Sequence, residues 1–351
     1  MRYIWTLLLV LLLPQLIMAQ GAVWVKYYDK KGELAGYKDL NGRIKIPAQF
    51  LHYSIPDSFH HIIAVEDTLY NQYYLLKNGK KVARDSVYMF DYMFDCEREG
   101  KILFKDKKSK NVGFLDVNGR VVIPAIYNYA TPFCNNISLA LIGAELKCLD
   151  KGCEHSSYVG GKTVLINAKN EIIVDNWQDD SDKINWYSVK IDDPALDRPG
   201  CVDVGGTDGR VYSFQSYNSE FVSWYYRKFL PALKAGEVSK YVMSEIKSWS
   251  DDKGEWLHWP KAHFLRTNTS LMRDILLINR DKIDISSGDL IFNDNLYKSY
   301  RNSCGQHDAE RYPVFTVTKT YSNGDAASNR QENFDFIRTT NGYLLYAVSI
   351  K

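Results

Sequence analysis

Cys304-Gly305-Gln306-His307-Asp308 sets a thiol, an imidazole and a carboxylate side by side near the end of a 351-residue chain. A thiolate nucleophile needs a base such as histidine within hydrogen-bond reach, so Cys304 and His307 are candidates for covalent catalysis. The opposing reading is an oxidised cysteine in a surface loop. A second cluster is Trp256-Leu257-His258-Trp259-Pro260-Lys261-Ala262-His263. Trp and His together stack on sugar rings or line apolar pockets, which makes Trp256 and Trp259 binding candidates and adds His258 and His263 to the catalytic ones. The plain alternative is an aromatic core or interface cluster. Tyr88-Met89-Phe90-Asp91-Tyr92-Met93-Phe94 offers two more binding candidates, Tyr88 and Tyr92. His60 and His61, in the stretch from His52 to His61 that also holds Tyr53 and Phe59, are the paired histidines. Loop histidines facing solvent explain them better than a metal does. No nucleophile elbow, phosphate loop, HExxH pair or EF-hand loop occurs, so no metal and no cofactor is expected.

The compartment decides what the cysteines do. Met1-Arg2, the apolar run Leu7 to Leu13 and the small residue Ala19 read as a secretory signal peptide over residues 1–19. No later apolar stretch is long enough for a membrane helix, so an exported chain without an integral membrane segment is expected. All six cysteines, Cys96, Cys134, Cys148, Cys153, Cys201 and Cys304, follow the signal. In an oxidising compartment they permit three disulfides among about fifteen pairings. Cys148 and Cys153 form the best local pair, because the four residues between them can turn back. A zinc site built from these two with His155 lacks the usual two-cluster spacing. The 44 Lys and Arg against 42 Asp and Glu leave no basic footprint for nucleic acid.

The elements that must position these groups are repeats. Gly36-Tyr37-Lys38-Asp39-Leu40-Asn41-Gly42-Arg43-Ile44-Lys45-Ile46-Pro47-Ala48-Gln49-Phe50 matches Gly113 to Tyr127 at eight of fifteen positions. Each copy reads as two short strands about a two-residue Asn-Gly type I′ turn, with Asp39 or Asp116 bonding the turn backbone and Pro47 or Pro124 ending the second strand. Weaker copies lie at Tyr73 to Val82 and Thr163 to Val174, and a partial one at Trp24 to Leu34. Twenty-five tyrosines and eight tryptophans suit such β-rich structure.

On these residues the pattern Gly-aromatic-x-Asp-x-Asn-Gly-Arg-x-x-Ile-Pro-Ala-x-aromatic resembles the WG repeat, also called the KWG repeat. Ala35-Gly36 and Val112-Gly113 stand where the family has Trp-Gly. The resemblance implies a mainly β repeat array of about four antiparallel units over residues 22–200, used for binding and carrying no catalytic residue. With the signal peptide it implies the periplasm or surface of a Gram-negative bacterium.

Pro199-Gly200 and Gly205-Gly206 mark a linker or tight turn, beyond which the apolar period changes. Phe221, Trp224, Tyr225, Phe229 and Leu233 share one helix face that Gly236 can end, with Pro231 as a kink. Val238 to Trp249 reads as a second helix, and Leu271 to Arg280 as a third capped by Ser270. Tyr312 to Tyr321, Asn333 to Arg338 and Tyr343 to Lys351 read as strands. Helices before antiparallel strands give an α+β domain over 205–351. That order is similar to the nuclear transport factor 2-like fold, which implies a pocket.

The expected protein is therefore an exported, non-catalytic binding or interaction module of the cell envelope whose partner is a protein or a glycan. The alternative is an envelope hydrolase working in a C-terminal pocket.

Overall fold

The computed structural model describes residues 23–51, 55–153, 155–178, 183–193, 200–278, 283–321 and 330–350. The signal peptide, His52, Tyr53, Pro199 and the distal end of the predicted third helix lie outside the described residues. The chain is mainly β, built of several small antiparallel sheets, with a helical cluster nearer the C-terminus.

Among the described residues, five sheets of three or four strands follow one another between Trp24 and Ser216. In each, the same pair of backbone hydrogen bonds closes a turn between two adjacent strands, at residues 39–43, 76–80, 116–120, 167–171 and 206–210. In the first, Asp39 N–H donates to Arg43 O and Gly42 N–H to Asp39 O, both at 2.9 Å. Only the fourth position has positive φ: Gly42, Gly79, Gly119, Asn170 and Gly209. The turn is thus a three-residue loop with one left-handed residue, and the two-residue type I′ turn expected at Asn-Gly is corrected. In the two strong copies an aspartate caps the turn. Asp39 Oδ1 accepts from Asn41 N and Arg43 N, and Asp116 Oδ1 from Asn118 N and Arg120 N. That cap supports a turn which also forms from Leu76 and from Gly206, and in every copy the fourth residue, glycine or Asn170, supplies the left-handed conformation. The fifth unit, with strands Ile184–Ile191, Cys201–Gly205 and Val211–Ser216, crosses the boundary expected at 200–205. Gly206 opens its turn, so this is the tight turn of the two readings.

The sheets stack, and the period-2 alternation of each middle sheet splits its side chains between two neighbours. Ile63, Val65, Tyr73 and Leu75 share a core with Ala35, Tyr37 and Phe50 of the preceding sheet. Ile62, Ala64, Tyr74 and Leu76 share another with Ile102, Phe104 and Leu115 of the following one. Both faces are covered, which is why Ile62–Glu66 is buried at every position. The third and fourth sheets meet through Phe114, Ile123, Val164 and Ile166, and the fourth and fifth through Leu165, Val174, Trp186 and Phe214.

The six-stranded sheet has the order Glu255–Pro260, Val242–Ser250, Gly342–Ser349, Arg330–Thr339, Val314–Tyr321, Ile283–Gly288. All its pairings are antiparallel except that between Val242–Ser250 and Gly342–Ser349. Helices α1 (Tyr217–Trp224), α2 (Leu230–Ala235) and α3 (Lys261–Leu277) accompany it around one large core. Between α1 and α2, Tyr225–Phe229 is a π-helical turn. It absorbs Pro231, which has no N–H to give an α-helical bond, and the apolar face of Phe221, Tyr225, Phe229 and Leu233 stays continuous to the left-handed cap Gly236. The helix expected over Val238 to Trp249 is instead a short 3-10 turn followed by strand Val242–Ser250. Its four-residue apolar spacing survives because the pairing with Gly342–Ser349 shifts register between Val242 and Lys247. Helix α3 starts at Lys261, ten residues before the expected Leu271, after Pro260, across a polar stretch that hides its period.

Candidate functional site

A pocket of about 400 Å³ lies where the stretch Tyr88 to Arg98 and the third and fourth sheets meet the loop at Asn302 to Glu310. Its walls are Tyr88, Phe90, Met93, Phe94, Tyr129 and Pro132, and its polar lining includes Asp91, Asp95, Arg98 and Glu310. The disulfide Cys96–Cys304 forms part of the wall and joins residues 208 apart in sequence, with Cα atoms 5.7 Å apart.

Tyr88, Phe90, Met93, Asp95, Arg98 and Glu310 are each positioned by a named contact. Tyr74 Oη accepts from Tyr88 N at 2.9 Å and donates to Leu103 O, tying Tyr88 between the second and third sheets. The strands Met89–Phe90 and Met93–Phe94 form a two-residue hairpin whose turn, Asp91-Tyr92, has φ of 46° and 62°. That is the I′ geometry glycine and asparagine favour, here made by Asp and Tyr. The hairpin lifts Phe90, Tyr92 and Met93 into solvent at 65, 85 and 40% exposure. Phe90 faces Tyr129, with ring centroids 6.4 Å apart. Gln306 Nε2 donates to Met93 Sδ at 2.9 Å from the opposite wall.

Below the hairpin, Asp95 Oδ2 accepts from Leu103 N at 2.8 Å. Asp95 is open to the pocket and enclosed by protein elsewhere. The lost hydration raises its carboxyl to about 6, against the lowering by the Leu103 and Cys96 amides and by Arg98. Arg98 pairs with Asp308 at 3.2 Å and Glu310 at 3.3 Å and donates to Cys134 Sγ at 3.2 Å. Burial pushes the Cys134 thiol up to about 11, so it stays protonated at neutral pH.

The loop at 302–312 is strapped down along its length. Ser58 N donates to Ser303 O, Ser303 Oγ to Glu97 O, and Tyr217 Oη to Glu310 O. Gly305, at φ 83°, leaves no room for a side chain: a Cβ there would stand 2.0 Å from Asp57 Oδ2.

The sequence candidates fall in different places. Tyr88 lines the pocket, and Tyr92 sits at the tip of the hairpin beside it. Cys304 reaches the pocket wall as a half-cystine, so it carries no thiol here. His307 Nε2 meets Tyr312 O at 2.7 Å and its Nδ1 faces Leu290 N at 3.4 Å; burial lowers its pKa. Both ring nitrogens are therefore taken. Trp256 packs edge-on against Trp249 and Phe292, and Trp259 stacks on His263 while donating to Ser248 Oγ. His258 and His263 are exposed, and neither lies on this pocket. His61 Nδ1 pairs with Glu97 at 2.7 Å. Cys148 and Cys153 are joined at the far end of the long hairpin Ile137–Cys148 and Ser156–Asn167. Cys134 and Cys201 are free, so two disulfides form where three were permitted. Among the described residues no cluster of three or more potential ligands is placed to hold a metal, and no helix is long and apolar enough to cross a membrane.

Asp95, Arg98, Glu310 and the Cys96–Cys304 pairing were not singled out by sequence. Cys96 lies two residues after the aromatic stretch Tyr88 to Phe94, and Glu310 three after His307. Nothing in the spacing says that these neighbourhoods meet. No family model and no curated protein matches this chain.

Proposed function

We propose that the chain is an exported, non-catalytic binding module of the bacterial cell envelope, in which WG-type β units and a C-terminal α+β region of nuclear transport factor 2-like order together form one pocket. The observation that carries this reading is the hairpin at Met89 to Phe94, which spends backbone strain to hold exposed aromatic side chains at the mouth of a 400 Å³ pocket. The repeat reading draws support from five turns with one hydrogen-bond pattern. The α+β reading draws it from α1 and α2 preceding a six-stranded sheet with a helix inserted after its second strand. Two disulfides agree with an oxidising compartment. The partner is a protein or glycan bearing an apolar group that enters the pocket.

Capture from envelope extract by the full chain and by its Phe90→Asp variant tests this. A stoichiometric species retained by the first and lost from the second supports the pocket; equal retention by both, or none by either, counts against it. A hydrolase working in this pocket, in place of the C-terminal one expected with His258, His263 or Cys304 and His307, has one observation in its favour, the Asp95 carboxyl held near 6, in the range of a general acid. It requires turnover that Asp95→Asn removes.

A further inference from the structure

The charge on the pocket lining is one-sided. Among the described residues the lining holds three carboxylates, Asp91, Asp95 and Glu310, against one cation, Arg98, and no lysine. The guanidinium is already used by Asp308, Glu310 and Cys134. Among the described residues neither Asp91 nor Asp95 has a salt-bridge partner. Around them stand the rings of Tyr88, Phe90 and Tyr129 and the thioether of Met93. Aromatic faces attract a cation within about 6 Å of the ring centroid, and do so more strongly where water is displaced. An anion meets two unmatched carboxylates here; a neutral apolar group leaves them unmatched.

Resting on the binding reading above, we infer that this pocket takes an organic cation, an ammonium or guanidinium group on an apolar stem. The charged end meets Asp91 and Asp95, and the stem lies between Phe90, Met93 and Tyr129. A basic side chain of a protein partner and a free alkylamine share that chemistry.

Calorimetric titration of the full, oxidised chain with n-hexylammonium, hexanol and hexanoate tests the assignment, and a blocked Gly-Gly-Lys-Gly-Gly peptide distinguishes the source. Hexylammonium is expected to bind about tenfold tighter than hexanol, with hexanoate weakest. The double variant Asp91→Asn, Asp95→Asn erases that preference. Phe90→Ala, an exposed surface change that keeps the fold, weakens the ammonium severalfold. A peptide tighter than hexylammonium assigns the site to a lysine of a protein, and the reverse order to a free amine; either order supports the cation. Hexanol or hexanoate binding as well as hexylammonium overturns the cation while leaving a binding pocket. Preference surviving in the double variant overturns it too. Silence from all four probes removes the pocket reading as well.

Discussion

The two regions of this molecule solve the problem of burying apolar surface in opposite ways. Among the described residues between Trp24 and Ser216, four small cores each lie between one sheet and the next, so each sheet depends on its immediate neighbours. Between Tyr217 and Ile350, one core gathers Phe221, Phe229, Phe264, Phe315, Phe336 and Tyr343 from helices and strands far apart in sequence. Phe221 stacks on Phe315 at 4.5 Å across 94 residues of chain. A stack can begin to open at any interface, whereas a single core tends to be lost as a unit. The pocket lies where the two meet, and its geometry depends on what clamps them.

The clamp is the first place to break the contrast. By the loop-entropy relation, a cross-link between residues 208 apart stabilises by about 5 kcal/mol. The Cys148–Cys153 link, five residues apart at the end of a hairpin, gives about 2 kcal/mol and acts locally. Cys96→Ser with Cys304→Ser is expected to lower the urea midpoint strongly and to separate the unfolding of stack and single core into two transitions. Cys148→Ser with Cys153→Ser leaves one transition. Equal effects of the two pairs refute the idea that the long link couples the regions.

Within the stack, the repeat pattern carries its own steric test. A Cβ on Gly36 would stand 2.4 Å from Ile46 O and 2.7 Å from Ala48 N; on Gly113 it meets Ile123 O and Ala125 N at the same distances. Both lie where the strand pairing shifts register, a bulge that brings backbone against backbone. Gly113→Ala is therefore expected to cost about 3 kcal/mol. Gly42→Ala, in open space with φ 84°, costs about 1 kcal/mol of left-handed strain alone. Thermal melts that rank these the other way contradict the bulge argument.

That pair also shows how far the sequence was legible. The Gly, Asp, Asn-Gly and Pro positions revealed the units because each obeys a local rule of backbone geometry. The fifth unit escaped because Gly206-Thr207-Asp208-Gly209 keeps the turn, and Val202, Val204, Tyr212 and Phe214 the apolar alternation, without the Asn-Gly and Ile-Pro-Ala that mark the strong copies. Val242 to Ser250 escaped because a register shift gave a strand helical spacing. The pocket was half legible: an aromatic run signals an unusual surface by composition, but Cys96 and Cys304, or Arg98 and Glu310, are brought together only by tertiary folding.

Asp95 sharpens the comparison at the seam itself. Burial outweighs the lowering by Arg98, and Tyr74 and Tyr88 are the other titratable groups that face it. Its folded pKa of about 6 is above the unfolded value, so its contribution is fully present below about pH 4 and is lost as pH rises through 6. Asp95→Asn is expected to stabilise the free protein by about 2 kcal/mol at pH 7 and by nothing at pH 4. Denaturation at the two pH values reads this directly; an equal effect at both places the titration elsewhere.

The smallest effect belongs to the hairpin and separates stability from binding. Tyr92 occupies the second αL position of a two-residue turn, φ 62°, where glycine is free of the Cβ penalty. Its ring is 85% exposed, so it returns little packing for that strain. Tyr92→Gly is expected to raise stability by about 0.5–1 kcal/mol, since relief of the left-handed strain exceeds glycine's added unfolded-state freedom. If the strain is kept for a ligand, the same change weakens capture at the pocket. A variant more stable and equally competent makes the aromatic tip dispensable and leaves Phe90 and Met93 as the binding wall. A variant less stable shows that the ring packs in solution, and the strain argument for the site fails with it.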